Sequence, residues 1–330
     1  MTILGYPERL FSLSVDNAAD YLASHGFSGC RDIVALGGGV SNIVIATETA
    51  HGRVVAKQAL EKLRVEADWR SRPDRALREA LALQEVAKIL PRGRVPEVLL
   101  VDSENCIYAM RAAPPDSRDW KTLLLRGEVD PRVAAQAGEI LGQIVHNTWL
   151  RPEWQARFGD QTVFDELRLD PYFRFTASRF PEFAAHLEKL IADCRDRAVA
   201  LVHGDWSPKN LLVHGEHVTA IDFEVVHFGN PSFDTGFLIN HLLLKSIHRP
   251  ELAGAYEVCA SEFWRAYDPR ESWLWEATMA QLGGLLLARV AGKSPAEYLT
   301  GPQKAVAWRC AQAIVKTPPG SIREVWQCLC

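Results

Sequence analysis

Two spacings of hydrophobic residues divide the chain. In its first third, runs rich in strand-forming residues span 32–36, 43–49 and 54–58, the last two joined by the turn His51-Gly52. Short β-rich runs joined by a tight turn predict an antiparallel sheet. A helix is expected ahead of them, capped by Ser14, carrying Val15, Ala18, Ala19 and Leu22 on one side and stopped by Gly26. Residues 74–90 turn to helical spacing, with Leu77 and Leu81 one turn apart and Pro91 and Gly93 as the stop. Strands over 98–101 and 106–110 follow. The pair Pro114-Pro115 then breaks regular structure. Beyond it the spacing predicts helices near 132–147, 183–197, 233–247, 252–266, 271–290 and 303–315, interrupted by short strands over 198–202, 211–213 and 218–221. A run of strands followed by a run of helices reads as an α+β chain, with one unit over 1–112 and a larger one over 113–330.

Composition agrees with two cores. The chain has 330 residues, 48% of them hydrophobic, enough for a buried interior in each unit. A formal net charge of −4 argues against a partner recognised by neutralising nucleic-acid phosphates. Seven cysteines, odd in number and without C-x-x-C spacing, suggest neither a disulfide framework nor a zinc site and fit a reducing cytoplasm. The start, MTILGYPERLF, carries charges where a signal peptide is apolar, and the most apolar stretch, 283–290, is too short for a bilayer; a soluble protein is expected.

Chemistry concentrates where short strands interrupt the helices. In His203-Gly204-Asp205-Trp206-Ser207-Pro208-Lys209-Asn210, Asn210 follows Asp205 by five residues, the interval of a kinase catalytic loop, and Asp222 ends the hairpin that comes next. Phosphoryl transfer needs a carboxylate near the acceptor hydroxyl and oxygen ligands that hold magnesium against the phosphates. Asp205 fits the first need, Asn210 and Asp222 the second. Glu224, two residues on, is a further metal candidate, with a solvated carboxylate as its plain alternative. His203 reads as a loop-stabilising side chain, Lys209 as a solvated lysine, and Asp234 as either a cap for the next helix or a brace for the catalytic loop.

The first unit carries matching features. Gly37-Gly38-Gly39-Val40-Ser41-Asn42 joins two predicted strands, and a loop poor in side chains can present backbone N–H groups to phosphates. Lys57 ends Val54-Val55-Ala56-Lys57, close to the V-A-I-K pattern whose lysine serves the α- and β-phosphates and pairs with a helix glutamate. Glu79 is the expected partner, with Glu66 and Glu85 as competitors. Met110, Arg111 and Ala112 form a linker whose backbone is expected to meet adenine. The short distance from Glu224 to the next helix leaves no room for a protein-kinase activation segment, so the expected acceptor is a small hydroxyl compound. Trp206, Trp264, Trp273 and Trp275 are candidates to line its pocket, though helix-spaced aromatics more often belong to the core.

On these residues the chain resembles the aminoglycoside phosphotransferase and choline kinase superfamily, and within it the 5-methylthioribose kinase-like branch. The pieces that carry the resemblance are Val55-Ala56-Lys57-Gln58-Ala59-Leu60, the arginine-rich stretch leading to Glu79, the loop from His203 to Asn210, Ile221-Asp222-Phe223-Glu224, and Gly229-Asn230-Pro231 through Asp234 with Asn240-His241-Leu242-Leu243-Leu244. Methylthioribose kinases resemble H-G-D-L-H-T-G-S at the loop, whereas this chain is closer there to the broader superfamily. The resemblance implies a protein-kinase-like two-lobed fold: a small antiparallel-sheet lobe with one main helix for the nucleotide, and a larger, mostly helical lobe for catalysis and substrate. It implies ATP and magnesium, with Asp205 as base, Asn210 and Asp222 at the metal and Lys57 at the phosphates, and a D-x-E motif ending in Glu224. The implied reaction is phosphorylation of a methylthioribose-like sugar, with an aminoglycoside, choline or homoserine-type acceptor as alternative and a regulatory pseudokinase as the non-enzymatic one. Neither nucleic acid nor a membrane is expected as partner.

Overall fold

Five strands, β1 (Arg31–Ala35), β2 (Asn42–Thr49), β3 (Gly52–Ala59), β4 (Val98–Asp102) and β5 (Ile107–Arg111), form an antiparallel sheet in the order β1-β2-β3-β5-β4. The computed structural model describes residues 11–37, 41–64 and 69–329 and divides into two units. The first holds the chain through Asp116 together with Asp222–Glu224; the second holds Ser117–Ile221 and the chain from Val225 onward. The return of three residues to the first unit has no signal in composition or spacing.

In the first unit the alternation of β3 decides what each face does. Val54 and Ala56 point into a core with Ile45, Ile107, Ala109 and, from the short helix α1 (Ala18–Ser24), Ala18, Tyr21 and Leu22. Lys57, of opposite parity to Ala56, lies on the other face with Val55. The helix α2 (Arg75–Val86) packs against β3, β4 and β5. Two expectations about these helices change. Helix α1 begins at Ala18, with Ser14 in the preceding turn and Val15 exposed. Helix α2 buries Arg75, Ala76, Glu79, Ala80, Leu83 and Val86, while Leu81, expected inside, is exposed. A buried arginine and glutamate one turn apart displace the leucine face because each has ionic partners inside the unit.

The second unit is mostly helical: α3 (Trp120–Arg126), α4 (Pro131–Thr148), α5 (Pro152–Phe158), α6 (Thr162–Phe164), a π-helical stretch over Asp165–Arg174, α7 (Phe175–Arg179), α8 (Ala184–Asp196), α9 (Ser232–His248), α10 (Ala253–Tyr267), α11 (Trp273–Ala291), α12 (Gly301–Lys316) and α13 (Ile322–Gln327). Helix α9 is buried on every side from Ser232 through Ile247 and forms the axis of the unit. Helices α4 and α10 pack so closely that a Cβ added at Gly138 would stand 2.2 Å from the Phe263 carbonyl oxygen, and one at Gly142 2.5 Å from that of Tyr267. Small strands complete the unit: β6 (Arg118–Asp119), β8 (Leu211–His214) and β9 (His217–Ala220) in one antiparallel sheet, β7 (Ala200–Val202) with β10 (His227–Gly229) in another. No described helix is long and apolar enough to cross a membrane.

Candidate active site

The loop after β7 is built around two aspartates with opposite duties. Gly204 takes φ +78°, and a Cβ there would lie 2.8 Å from the Val225 carbonyl oxygen, so only glycine passes without strain. Asp234, fully buried in the first turn of α9, accepts the N–H of His203 at 2.6 Å and that of Gly204 at 2.9 Å. Of the two duties expected for Asp234, the structure shows the brace. Burial pushes its carboxyl up to about 7, against backbone donors that favour the charged form. His203 Nδ1 accepts the N–H of Asp205 at 3.1 Å, which makes its Nε2 the protonated nitrogen, and that nitrogen donates to the Ile221 carbonyl at 3.0 Å. The ring is therefore a neutral strut.

Asp205 is 3% exposed and turns Oδ2 to three donors: Arg168 Nη2, Lys209 Nζ and Asn210 Nδ2, each at 2.9 Å. Lys209, expected to be merely solvated, is thus an ion-pair partner with a half-exposed stem. Asn210 Nδ2 also reaches the Asp205 carbonyl at 3.0 Å, which fixes the amide with Oδ1 turned away from Asp205. Arg168 comes from the π-helical stretch, and its Nε donates to the Gly204 carbonyl at 2.8 Å. One guanidinium so grips both the loop backbone and the loop carboxylate. Sequence reasoning missed Arg168, since nothing in the spacing of 165–174 singles out that arginine. Trp206 is fully buried, edge-on to the His203 ring, and belongs to the loop's packing.

A second constellation lies within the first unit. Lys57 Nζ meets Glu79 Oε2 at 2.7 Å and also Asp222 Oδ1, while the other Glu79 oxygen accepts the Phe223 N–H at 3.1 Å. Glu79 is the partner expected for Lys57; Glu85 pairs instead with Lys88 at 2.8 Å, and Glu66 lies outside the described residues. Burial opposes the Lys57 charge, but Asp222 and Glu79 outweigh it and hold the ammonium well above the usual lysine range. Burial pushes the Glu79 carboxyl up, and Lys57 pulls it back. Asp222 adopts φ +69°, a left-handed conformation that aspartate tolerates better than most residues.

Glu224 is met by three donors within the first unit. Ser41 Oγ donates to its Oε1 at 2.8 Å, Asn42 Nδ2 to its Oε2 at 3.0 Å, and Arg75 Nε to the same oxygen at 3.1 Å. The Arg75 guanidinium, fully buried, also reaches the carbonyls of Ser71, Arg72, Ser41 and Leu60. A fully buried cationic side chain is thus the ion-pair partner of Glu224. Arg75 was legible in part, since it stands four residues before Glu79 on the same helix face. Ser41 and Asn42, expected at phosphates, take up Glu224; Gly37 is exposed, and Gly38 and Gly39 lie outside the described residues. In the linker the N–H of Arg111 donates to Glu97 at 2.8 Å and that of Ala112 to Arg53 at 3.0 Å, so neither N–H is left for adenine; Met110 pairs with Val55 in the sheet. Among the described residues no three His, Cys, Asp or Glu side chains are gathered as a metal-binding group.

A profile of the phosphotransferase enzyme family matches residues 32–273. The chain belongs to that family. Methylthioribose kinase from Pectobacterium carotovorum is 30% identical to this phosphotransferase over 294 residues, spanning 79% of this chain and 73% of that protein. Methylthioribose kinase from Yersinia enterocolitica is 29% identical over 299 residues, spanning 80% and 74%. Among solved structures it is similar to a choline/ethanolamine kinase family protein from Mesorhizobium loti, with TM-score 0.56, 17% identity, and 96% and 97% of the two chains covered. It is also similar to a thermostable mutant of an aminoglycoside phosphotransferase in complex with ADP and hygromycin B, with TM-score 0.54, 18% identity, and 92% and 100% covered. Those two likenesses bear on the fold alone, which is the protein-kinase-like α+β class expected from the sequence. By its family this phosphotransferase is a small-molecule kinase.

Proposed function

We propose that the protein moves the γ-phosphoryl group of ATP to a hydroxyl of a small metabolite. The observation that carries this reading is the buried Asp205 carboxylate, held by Arg168, Lys209 and Asn210 in a family of phosphotransferases. Asp205 takes the acceptor's proton as the acceptor oxygen bonds to the γ-phosphorus and the bond from that phosphorus to the bridging oxygen of ADP breaks; the proton then passes to water. Arg168 and Lys209 hold the Asp205 carboxylate fixed in direction. Lys57, kept charged by its two carboxylates, serves the α- and β-phosphates. When bound, ATP supplies the phosphoryl group and magnesium offsets the charge on its phosphates.

The donor set suits a hard cation at Asp222, through its carboxylate, and at Asn210, whose amide orientation offers Oδ1. Glu224 we assign to holding the segment after Asp222 rather than to the metal. The unit over 1–112 we read as nucleotide-binding, with residues 37–42 near phosphates and Met110, Arg111 and Ala112 offering carbonyls to adenine, and 113–330 as catalytic and acceptor-binding, in a cytoplasmic enzyme. The relatives named methylthioribose kinase favour a sugar scaffold over an aminoglycoside, choline or homoserine. A pseudokinase is disfavoured by the intact Asp205, Asn210, Asp222 and Lys57.

ADP release, measured over sugars, amino alcohols and aminoglycosides, is expected to depend on one acceptor class. Asp205→Ala is expected to lower kcat by about 10²–10⁴-fold with ATP affinity kept. Near-normal kcat in that variant would remove Asp205 from the chemistry, and nucleotide binding without acceptor-dependent release would favour the regulatory reading.

A further inference from the structure

Of the tryptophans read as candidates for a ligand pocket, two meet at one. A cavity of about 410 Å³ lies where the turn between α10 and α11 meets the segment leading into α13. Its size falls within the range of about 300–1,000 Å³ usual for small-molecule sites. Trp264 of α10 and Trp275 of α11 line it, with ring centres 4.9 Å apart and planes at 79°, so the two indoles form a corner rather than a stack. Two rings at this angle can each turn a face to one guest. Trp273 does not line the cavity, and the Arg197 guanidinium already covers its ring at 4.5 Å. Among the described residues no cation lies over Trp264 or Trp275.

The charge of the cavity decides what can enter. Glu271 is the one charged residue that lines it; no lysine, arginine or histidine does. Among the described residues Glu271 has no ion-pair partner, whereas Glu262 pairs with Arg265 at 2.7 Å. N–H groups of the walls that could receive an anion are spent within the chain. Trp275 Nε1 donates to the Pro319 carbonyl at 2.9 Å, the Gly320 N–H to Glu324 Oε2 at 2.7 Å and the Leu274 N–H to the Glu271 carbonyl at 3.2 Å. Ser321 Oγ accepts the Glu324 N–H at 3.2 Å, so the start of α13 is capped by its own glutamate segment. An anion would therefore meet an unpaired carboxylate and few free donors. A cation finds a counter-charge in Glu271 and the negative faces of two indoles. None of the lining residues belongs to the loop over 203–210 or to the π-helical stretch, so the cavity is separate from Asp205 and Arg168.

We propose that Trp264, Trp275 and Glu271 bind a small organic cation, an alkylammonium group, at a site apart from the catalytic loop. Tetramethylammonium is the probe, with tert-butanol as a neutral molecule of similar shape and acetate as the anion, all at constant ionic strength. The chain has 10 tryptophans, each with one indole N–H resonance, and those of Trp264 and Trp275 are assigned through Trp264→Phe and Trp275→Phe. Tetramethylammonium at millimolar concentration is expected to shift these two resonances along one saturating curve and to leave the others in place. In Glu271→Gln the dissociation constant is expected to rise about threefold, the scale of one exposed ion pair. In Trp264→Leu, followed through the Trp275 resonance, it is expected to rise about threefold or more, the scale of one cation–π contact. Glu271 is exposed, so Glu271→Gln should melt with the wild type, and weaker binding there reports the lost charge rather than a lost fold. Shifts of all the indoles in proportion to concentration, an equal response to tert-butanol or acetate, or unchanged affinity in either variant would overturn the proposal. Binding here needs no turnover, so a failure of ADP release would count against the kinase reading alone.

Discussion

Lys57, Glu79 and Asp222 depend on one another more than on anything else near them. A buried ammonium paired with buried carboxylates adds little net stability, but removing one member strands the others and costs about 3–5 kcal/mol. Lys57→Met is therefore expected to lower stability and to do so unevenly with pH. The folded Glu79 carboxyl already sits above its unfolded value, at about 7, so the stability linked to its proton is full below the ordinary carboxylate range and is lost as pH rises through 7. Without Lys57 that carboxyl rises further, and the deficit should be smallest near pH 5 and largest near pH 8. Thermal melts at the two pH values check this, and a deficit that grows on acidification would contradict it. Arg168 makes a sharper claim about geometry. Arg168→Lys keeps a positive charge but gives up the planar fork that joins Asp205 to the Gly204 carbonyl. On the kinase reading kcat should fall about tenfold, with the KM for ATP unchanged. A change in KM alone would make Arg168 a structural residue.

Helix α9 shows how an element can set a site it does not enter. Its first-turn Asp234 satisfies two buried N–H groups of the loop, so Asp234→Ala leaves both unpaired and should cost about 3 kcal/mol in chemical denaturation. Asp234→Asn keeps one acceptor and should cost less. The long helices α4 and α8–α12 are legible from spacing because each stays in register for several turns. So are β2 and β3, and with them the positions of Lys57 and Glu79. Strands β6 and β10 are not, since two or three residues cannot show a period and exist as strands only because distant partners pair with them. The π-helical stretch is hidden for a different reason. It contains Pro171, which reads as a break, and its Asp165 pairs with Arg174 at the stretch's other end at 2.8 Å and with Arg195 of α8 at 2.5 Å, a partner no local pattern announces. The site therefore shows in the sequence where a loop or strand carries it alone. It is hidden where an arginine arrives from elsewhere.

At the scale of the whole chain, the first unit is completed by residues that lie more than a hundred positions after its main body. Asp222 supplies a counter-charge for Lys57, the Phe223 N–H meets Glu79, and Glu224 neutralises the fully buried Arg75 while joining it to Ser41 and Asn42. A fragment that stops at residue 116 keeps all five strands and α2, and by hydrophobic content alone it should fold. Electrostatics gives the opposite answer. The fragment strands Arg75 without its carboxylate and leaves Lys57 with one counter-charge of two, each broken buried pair costing about 3–5 kcal/mol, against a total stability of about 5–15 kcal/mol for a domain. The prediction is that residues 1–116 expressed alone show no cooperative thermal transition by circular dichroism, while the full chain does. Glu224→Ala in the full chain should remove the Arg75 share of that loss only, and the Phe223 amide, still bonded to Glu79, should then exchange with solvent faster than in the wild type because its segment is anchored on one side. A fragment that melts cooperatively near the full chain's temperature would mean that burial of apolar side chains, not the returning carboxylates, holds this unit together.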